Sequence, residues 1–436
     1  MKKCGNLETH QNNPFHISGL VFDAPRGVHH RRFAVTPMLP PPSPPESSSK
    51  LDIVTDALLT LDAPAPISAK SAPVRKPQLP ALTGVRTLLA VNIMLFHFEP
   101  PHMQFLYPVI DNSYVFVGFF FLLSGFVLAY NYADRPAPLD KRQFWKARFA
   151  RLYPIYLLSL VLFAGMLGAE WQARSHGEFL AGVILTPLLL QGWSPMLATF
   201  WNTVAWTLSC EAAFYFFFPW LIRLPWPKSP GRLIALILGI WCLGLVPHAL
   251  YLYFNPDHIS GPIGRYSSGV WIRTLKYTPL AYTGIFLAGI ALAKLQNSLK
   301  LTAHYRAWIA GASLLALALF FATAVGRVPY VLMHGGFLVP LFAALVVGLS
   351  GQNIFASFFA WKPIELLGQA SYAIFLLHFN FINLLRTHHV PERLHLAAYD
   401  PWVSYAATLL LAFAAMYLVE RPARRAILQR RPAPLQ

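Results

Sequence analysis

The chain has 436 residues, of which 56% are hydrophobic and only 12% are charged. Soluble domains usually carry about 25% charged residues, so this composition excludes an array of soluble domains and indicates a polytopic membrane protein. The net charge of +17 is concentrated between the apolar segments and at both ends of the chain, as in cytoplasmic loops. Because no basic and aromatic module accompanies this charge, we expect no nucleic-acid partner.

The N-terminal stretch 1–80 differs in composition from the rest of the chain. It contains TPMLPPPSPPESSSK (Thr36–Lys50) and, from Ala63, APAPISAKSAPVRKPQLP. Such a segment cannot bury a core, so we predict a disordered, Pro-rich cytoplasmic tail. One alternative is a non-catalytic scaffold or sensor that recruits an aromatic-grooved domain through PPPSPPE. No secretory signal begins at Met1, so the first span is expected to stay uncleaved.

Eleven apolar segments follow the tail. They cover roughly 82–98, 113–130, 152–168, 179–193, 203–222, 232–252, 278–295, 305–325, 331–350, 368–386 and 402–420. The fourth is the weakest, because its fifteen residues would span about 22 Å of a roughly 30 Å core and Pro187 interrupts it. If only this segment fails to cross, the basic loops and both termini share one side, as the positive-inside rule favours.

These segments predict an all-α polytopic membrane protein with about ten transmembrane helices and one short re-entrant or interfacial segment. We expect the membrane domain to cover 81–425 and a basic cytoplasmic tail to cover 426–436. The three cysteines, Cys4, Cys210 and Cys242, form neither a disulfide framework nor a metal-binding pair, so we expect no metal.

Two ionisable residues lie in the first apolar segment, TGVRTLLAVNIMLFHF. Arg86 and His97 are eleven residues apart. At about 100° per residue they share one helix face, and about 16 Å separates them along the axis. A cation at the entrance and an imidazole deeper in would suit a long anionic substrate with a reactive end. Alternatively, Arg86 extends to the interface and His97 bonds only to a backbone carbonyl.

Other charged or titratable residues lie in later segments. Glu211 stands among aromatic residues in the fifth and needs a partner, either functional or purely structural. Arg148 and Arg151 share one face where the third begins, so they suit phosphate oxygens, although they could simply set topology. His378 lies in the tenth segment, and Tyr372, six residues earlier, faces away from it.

Six motifs in this order resemble acyltransferase family 3, integral membrane proteins that include polysaccharide and lipopolysaccharide O-acetylases. They are LTGVRTLLAVNIMLFHF, GFFFLLSGFVL, ARFARLYPIY, WTLSCEAAFYFFFPW, LGQASYAIFLLHF and LVERPARR, and they extend from about Leu82 to Arg425. The resemblance implies a ten-helix protein of the bacterial inner membrane. It also implies transfer of an acyl group, typically acetyl, from cytoplasmic acyl-CoA to a glycan or lipid-linked hydroxyl.

The resemblance also implies roles for individual residues. His97 matches the family's essential histidine and Arg86 its partner arginine, while Arg148 and Arg151 match the pair assigned to the CoA phosphates. The remaining matches are Phe120, Phe121, Ser124 and Gly125 of the Phe-Phe-x-x-Ser-Gly segment, the acidic Glu211, and the substrate or structural candidates Ser371, Tyr372 and His378. Gly118 and Thr207 depart from the residues that are common in the family at their positions.

Acyl transfer to a hydroxyl needs a base and donors for the developing oxyanion. A histidine suits the first task, so we expect the hydroxyl to attack the thioester directly with His97 as general base. Glu211 could orient that histidine, and an acyl-histidine relay is the alternative route. A transporter or flippase would also need intramembrane Arg, His and Glu, but it usually has an internal repeat, and none is evident in this sequence.

Overall fold

The computed structural model describes residues 76–133 and 138–429. All but the last five residues of the expected 1–80 tail lie outside these ranges, and so do residues 430–436 of the expected C-terminal tail. The described residues contain helices and no strand, which confirms the all-α class.

Eighteen α-helices make up the described fold. They are α1 Pro80–His97, α2 Tyr107–Ile110, α3 Val115–Tyr132, α4 Lys141–Leu162, α5 Met166–Ala173, α6 His176–Leu185, α7 Trp206–Leu221, α8 Pro230–Phe254, α9 Val270–Tyr277, α10 Pro279–Ser298, α11 Ala303–Thr323, α12 Tyr330–His334, α13 Val339–Leu349, α14 Ile354–Phe359, α15 Lys362–Thr387, α16 Val390–Arg393, α17 Trp402–Ala415 and α18 Arg421–Gln429. A π-helical turn, Met416–Glu420, joins α17 to α18.

Local sequence signals place several helix ends. Asp140 caps α4 by accepting a hydrogen bond from the backbone N–H of Gln143, and Ser175 forms a capping box with Glu178 at the start of α6. Proline at the first position begins α1, α8 and α10, where its missing N–H costs no helical bond. Asn255 ends α8 in the left-handed conformation, at φ 41°.

Among the described residues, seven helical segments are long and apolar enough to cross a membrane, or eight if the bent pair α4 and α5 counts as one span. That pair bends by 74°. Helices α7, with 16 residues, and α15, with 26, lie outside this set. The eight spans together with α7 and α15 would make ten. Because these two helices are not in the set, the number of about ten spans stays a prediction.

The fourth apolar segment contains only a short helix. Helix α6 has 10 residues, about 15 Å of length, and turns and the 3₁₀ segment Gln191–Trp193 follow it. The shortness agrees with the sequence analysis, and a re-entrant or interfacial position stays a prediction. The helices of two other apolar segments are longer than the segments themselves. Helix α4 begins at Lys141, before the third segment, and α17 continues through the π turn and α18 to Gln429, past the last segment.

Two helix pairings position the residues of interest. Helix α1 packs along α15, and the Thr87 hydroxyl donates to the Ile364 carbonyl at 2.6 Å. Helix α3 packs along α10. Helix α18 and the π turn both pack against α4, which brings the end of the described chain beside Arg148 and Arg151.

Candidate active site

A cavity of about 500 Å³ opens among α1, α3, α4, α7, α15, the π turn Met416–Glu420 and the start of α18. Nine residues singled out from the sequence line it: Arg86, Phe120, Phe121, Ser124, Arg148, Arg151, Glu211, Ser371 and Tyr372. Along α3 the lining runs from Asn131 to Val117, a distance of about 21 Å on the helix axis. The cavity is therefore long enough for an extended ligand.

The lining is positively charged overall. It contains six cationic side chains and three carboxylates: Lys76, Arg86, Arg148, Arg151, Arg421 and Arg424, with Glu211, Glu365 and Glu420. Glu365 is paired with Lys362, whose Nζ lies 2.9 Å from the carboxylate. An excess of cations in a partly enclosed site favours a polyanionic ligand.

Glu211 forms the end of a short hydrogen-bonded chain in the cavity wall. The Ser124 hydroxyl donates to Tyr215 Oη at 3.4 Å, and Tyr215 Oη donates to Glu211 Oε2 at 3.3 Å. The charges of Arg151 and Arg86 also act on this carboxylate. Glu211 thus supplies the partner charge that a group of arginines at membrane depth requires.

Arg86 and Arg148 lie against aromatic faces, and among the described residues neither forms an ion pair of 4 Å or less. Arg86 lies over the Phe120 ring at 5.8 Å, and Arg148 lies 5.7 Å from the ring of Phe144 and 6.0 Å from that of Tyr215. Arg148 Nε is buried without a hydrogen-bond partner in the described part of the chain. Because buried donors are nearly always hydrogen-bonded, Arg148 Nε is a candidate donor to an acceptor atom of a ligand.

Ser371 and Tyr372 differ in what their hydroxyls contact. Tyr372 Oη donates to the Leu152 carbonyl at 2.7 Å, which ties α15 to α4. Ser371 Oγ is buried and has no hydrogen-bond partner among the residues that the structure describes. Ser371 is therefore the better candidate for a ligand contact, and Tyr372 holds the cavity wall.

Aromatic side chains line the deep end of the cavity. Phe120 and Phe375 both line it, with 6.0 Å between their ring centroids. The Phe375 ring is also 6.0 Å from the ring of His378, which is not part of the lining. These contacts lead from the cavity towards the histidines.

His97 and His378 lie side by side beyond this aromatic layer, with 5.2 Å between their ring centroids. His378 is buried, and its Nδ1 lies 2.7 Å from the Phe375 carbonyl and 3.2 Å from that of Ile374. Because a carbonyl only accepts, Nδ1 carries the proton of the neutral ring and Nε2 is a bare acceptor. Nε2 has no hydrogen-bond partner in the described residues.

Glu211 does not contact His97. The charged or titratable neighbours of His97 are His378 and Arg265, whereas Glu211 bonds to Tyr215 and faces the arginines. The expectation that Glu211 orients His97 therefore finds no support, because the two lie in different polar groups. Gly125 also stays out of the lining, and it serves the contact between α3 and α10.

Several lining residues were not among the predicted site residues, and they include Tyr215, Glu420, Arg421 and Arg424. The sequence carries a signal for two of them, because Arg421 and Arg424 repeat the Arg-x-x-Arg spacing of Arg148 and Arg151. Glu420 Oε2 is buried and unbonded among the described residues, and the charge of Arg151 acts on it.

Comparison with known proteins gives a consistent result. A family described as an acyltransferase domain matches residues 79–421. The acyltransferase MdmB of Streptomyces mycarofaciens is 28% identical over 339 residues, which cover 71% of this chain and 81% of that protein.

Two longer relatives are O-acetyltransferases by name. The O-acetyltransferase OatA of Staphylococcus aureus is 24% identical over 366 residues, covering 80% of this chain and 57% of that protein. The peptidoglycan O-acetyltransferase OatA of Listeria monocytogenes is 23% identical over 385 residues, covering 80% of this chain and 56% of that protein. The chain thus spans little more than half the length of these two relatives. No solved structure matches the chain significantly.

Proposed function

This chain belongs to acyltransferase family 3, and from that membership we propose that it transfers an acyl group, acetyl by default, from cytoplasmic acyl-CoA to a hydroxyl of a glycan or lipid-linked carbohydrate. The chain is an acyltransferase with apolar helices of membrane-spanning length. The donor, the acceptor and the direction across the membrane are the proposal. A bacterial inner-membrane location with both termini cytoplasmic completes it.

The observation that carries the proposal is the grouping of Arg86, Arg148 and Arg151 in one elongated cavity. CoA combines a diphosphate and a phosphomonoester with a long uncharged arm. Guanidinium groups bind phosphate oxygens in a bidentate manner. The polar end of the cavity lies near the start of α1 and the end of α3, at Lys76 and Asn131, and basic residues flank it as expected of a cytoplasmic face.

The chemistry assigned to His97 is general base catalysis. His97 takes the proton of the acceptor hydroxyl, and the oxygen bonds to the thioester carbonyl carbon. The carbon–sulfur bond then breaks, and the leaving CoA thiolate takes the proton from the His97 imidazolium, which restores the neutral base. The bare Nε2 of His378 stands beside His97, where it can accept a hydrogen bond from the imidazolium. Phe120 and Phe375 surround the path of the acyl arm with apolar surface, which keeps water from the thioester.

The proposed role of Glu211 is to balance charge. It accepts a hydrogen bond from Tyr215 and offsets the repulsion among the cavity arginines.

The proposed acceptor class follows from the relatives, one of which is named a peptidoglycan O-acetyltransferase. A relay through an acyl-histidine, in which His97 attacks the thioester itself, is the second route for the same reaction.

The purified protein in detergent allows a direct test. We expect Arg148→Ala/Arg151→Ala to weaken acetyl-CoA binding by roughly a hundredfold, since each charged hydrogen bond contributes about 1.5–3 kcal/mol. His97→Ala should retain binding and lose slow acetyl-CoA hydrolysis by about 10²- to 10⁴-fold. Binding is measured by calorimetry and hydrolysis by thiol release. Arg142→Ala is the matched control, because Arg142 is exposed on the same helix and outside the cavity.

A folded wild-type protein that binds neither acetyl-CoA nor a longer acyl-CoA would contradict the proposal. The same intramembrane charges would then favour the transporter or flippase reading. Equal loss of binding in the Arg142 variant would indicate a general charge effect rather than a phosphate site.

A further inference from the structure

A second Arg-x-x-Arg sequence, Arg421 and Arg424, lies at the start of α18 and has no role in the mechanism above. Residues three apart lie on one face of a helix. Both side chains line the same cavity as Arg148 and Arg151. The two arginine pairs thus stand on two helices that pack against each other, α4 and α18.

The π turn Met416–Glu420 precedes Arg421 directly, and such turns often occur at functional sites. Arg421 is the better fixed of the pair. Its Nη2 donates to Gln369 Oε1 at 3.1 Å, and its guanidinium lies 4.1 Å from the centre of the Tyr417 ring. Arg424 is exposed, so it marks the outer end of the cavity.

The carboxylate of Glu420 partly neutralises the two arginine pairs when no ligand is bound. The charges of Arg151, Arg424, Arg86 and Arg421 all act on its carboxylate. One negative group that interacts with both pairs reduces the repulsion among the guanidiniums. It satisfies only part of their charge, because six cations face three carboxylates across the whole lining.

A CoA donor presents two separate phosphate groups, a diphosphate on the pantetheine side and a phosphomonoester on the ribose. The phosphomonoester carries about −1.5 to −2 charges at neutral pH and three acceptor oxygens. We propose that Arg421 and Arg424 form a subsite for this 3′-phosphate, while Arg148 and Arg151 hold the diphosphate. The inference rests on the proposed function, since it assumes a CoA donor in this cavity.

The test compares acetyl-CoA with acetyl-3′-dephospho-CoA, which lacks only the phosphomonoester. Wild-type protein in detergent should bind acetyl-CoA more tightly by roughly ten- to a hundredfold, the contribution of one or more charged hydrogen bonds. Arg421→Ala/Arg424→Ala should remove this preference while keeping the affinity for the dephospho donor. Arg148→Ala/Arg151→Ala should weaken both donors and keep the preference.

Arg425→Ala is the matched control, because Arg425 is exposed on the same helix and does not line the cavity. It should keep the wild-type preference. If the double variant does not fold, Arg424→Ala alone reports on the subsite, since its side chain is exposed and a partial loss of preference is expected.

Two results would overturn the subsite and leave the proposed function standing. One is a wild-type protein that binds both donors equally, and the other is an arginine variant that keeps the full preference. A wild-type protein that binds neither donor would overturn the subsite and the proposed function together.

Discussion

His378 presents a bare ring nitrogen because its other nitrogen is bonded to the backbone. His378 Nδ1–H donates a hydrogen bond to the Phe375 carbonyl oxygen, 2.7 Å from Nδ1, so the neutral ring can only accept at Nε2. The neighbouring ring is that of His97. In the proposed reaction His97 becomes an imidazolium, and an acceptor beside it would stabilise that state.

Two amide substitutions separate this role from a packing role. In His378→Asn the amide can still donate to the Phe375 carbonyl, but no acceptor remains at the position of Nε2. We expect acetyl-CoA hydrolysis to fall about tenfold or more, the value of a hydrogen bond to a charged group, with donor binding unchanged. His378→Gln, whose longer side chain reaches the Nε2 position, should retain more activity. Equal hydrolysis in both variants would argue for packing alone.

Sequence spacing could predict the shared helix face of Arg86 and His97 but not their partners. Helical periodicity is a local property, and both residues lie on α1 as expected. The neighbour of His97 comes from α15 and that of Glu211 from its own helix, four residues on at Tyr215. The contact between His97 and His378 depends on the tertiary packing of α1 on α15, which helical periodicity does not predict.

Helices α3 and α10 approach each other through glycine. A Cβ on Gly125 would lie 2.2 Å from the Phe286 carbonyl oxygen, and one on Gly289 would lie 2.2 Å from that of Leu122. Small residues let membrane helices pack backbone against backbone. Helix α3 carries Phe120, Phe121 and Ser124 in the cavity wall, so this contact also sets the width of the site.

Alanine at either glycine should lower the thermal unfolding midpoint. Gly289→Ala must push two backbones apart, at a cost of about 1–3 kcal/mol, and acetyl-CoA binding should weaken with it. Gly239→Ala on α8 is the control, since a Cβ there meets nothing within 4 Å. It should be neutral or stabilising, because alanine favours helix over glycine by about 1 kcal/mol. An unchanged midpoint for Gly289→Ala would contradict the close contact.

The apolar segments of the sequence predict where the helices lie but not where they begin and end. The third segment was expected from residue 152, whereas α4 begins at Lys141, because the Asp140 cap rather than hydropathy sets that end. Arg148 and Arg151 consequently lie well inside the helix. The last apolar segment ends at residue 420, but the π turn Met416–Glu420 leads directly into α18, so the helix continues to Gln429. Arg421 and Arg424 therefore lie on a helix that hydropathy alone does not predict.

The arrangement of the whole chain across the membrane depends on the fourth segment. If α6 does not cross, Arg142 at the start of α4 and Lys228 between α7 and α8 share one side, and Tyr266 lies on the other. If it does cross, Arg142 and Lys228 lie on opposite sides. The positive-inside rule favours the first arrangement.

Single cysteines in a cysteine-free background distinguish the two arrangements. We expect Tyr266→Cys to react with a membrane-impermeant maleimide in intact cells, and Arg142→Cys and Lys228→Cys to react only after permeabilisation. All three side chains are exposed, so access should depend on the side of the membrane alone. Labelling of Lys228→Cys in intact cells, with Arg142→Cys protected, would establish eleven crossings.

Arg86 and His97 lie on the same helix, α1, and the distance between them limits which donors can react. In the proposed reaction, the arginines hold the charged part of the donor, and the aromatic rings of Phe120 and Phe375 disfavour charge nearer the histidines. Eleven residues of helix separate Arg86 from His97, a span of about 16 Å. In the proposed reaction, the length of α1 between these two residues therefore selects donors whose neutral arm reaches from the arginines to His97.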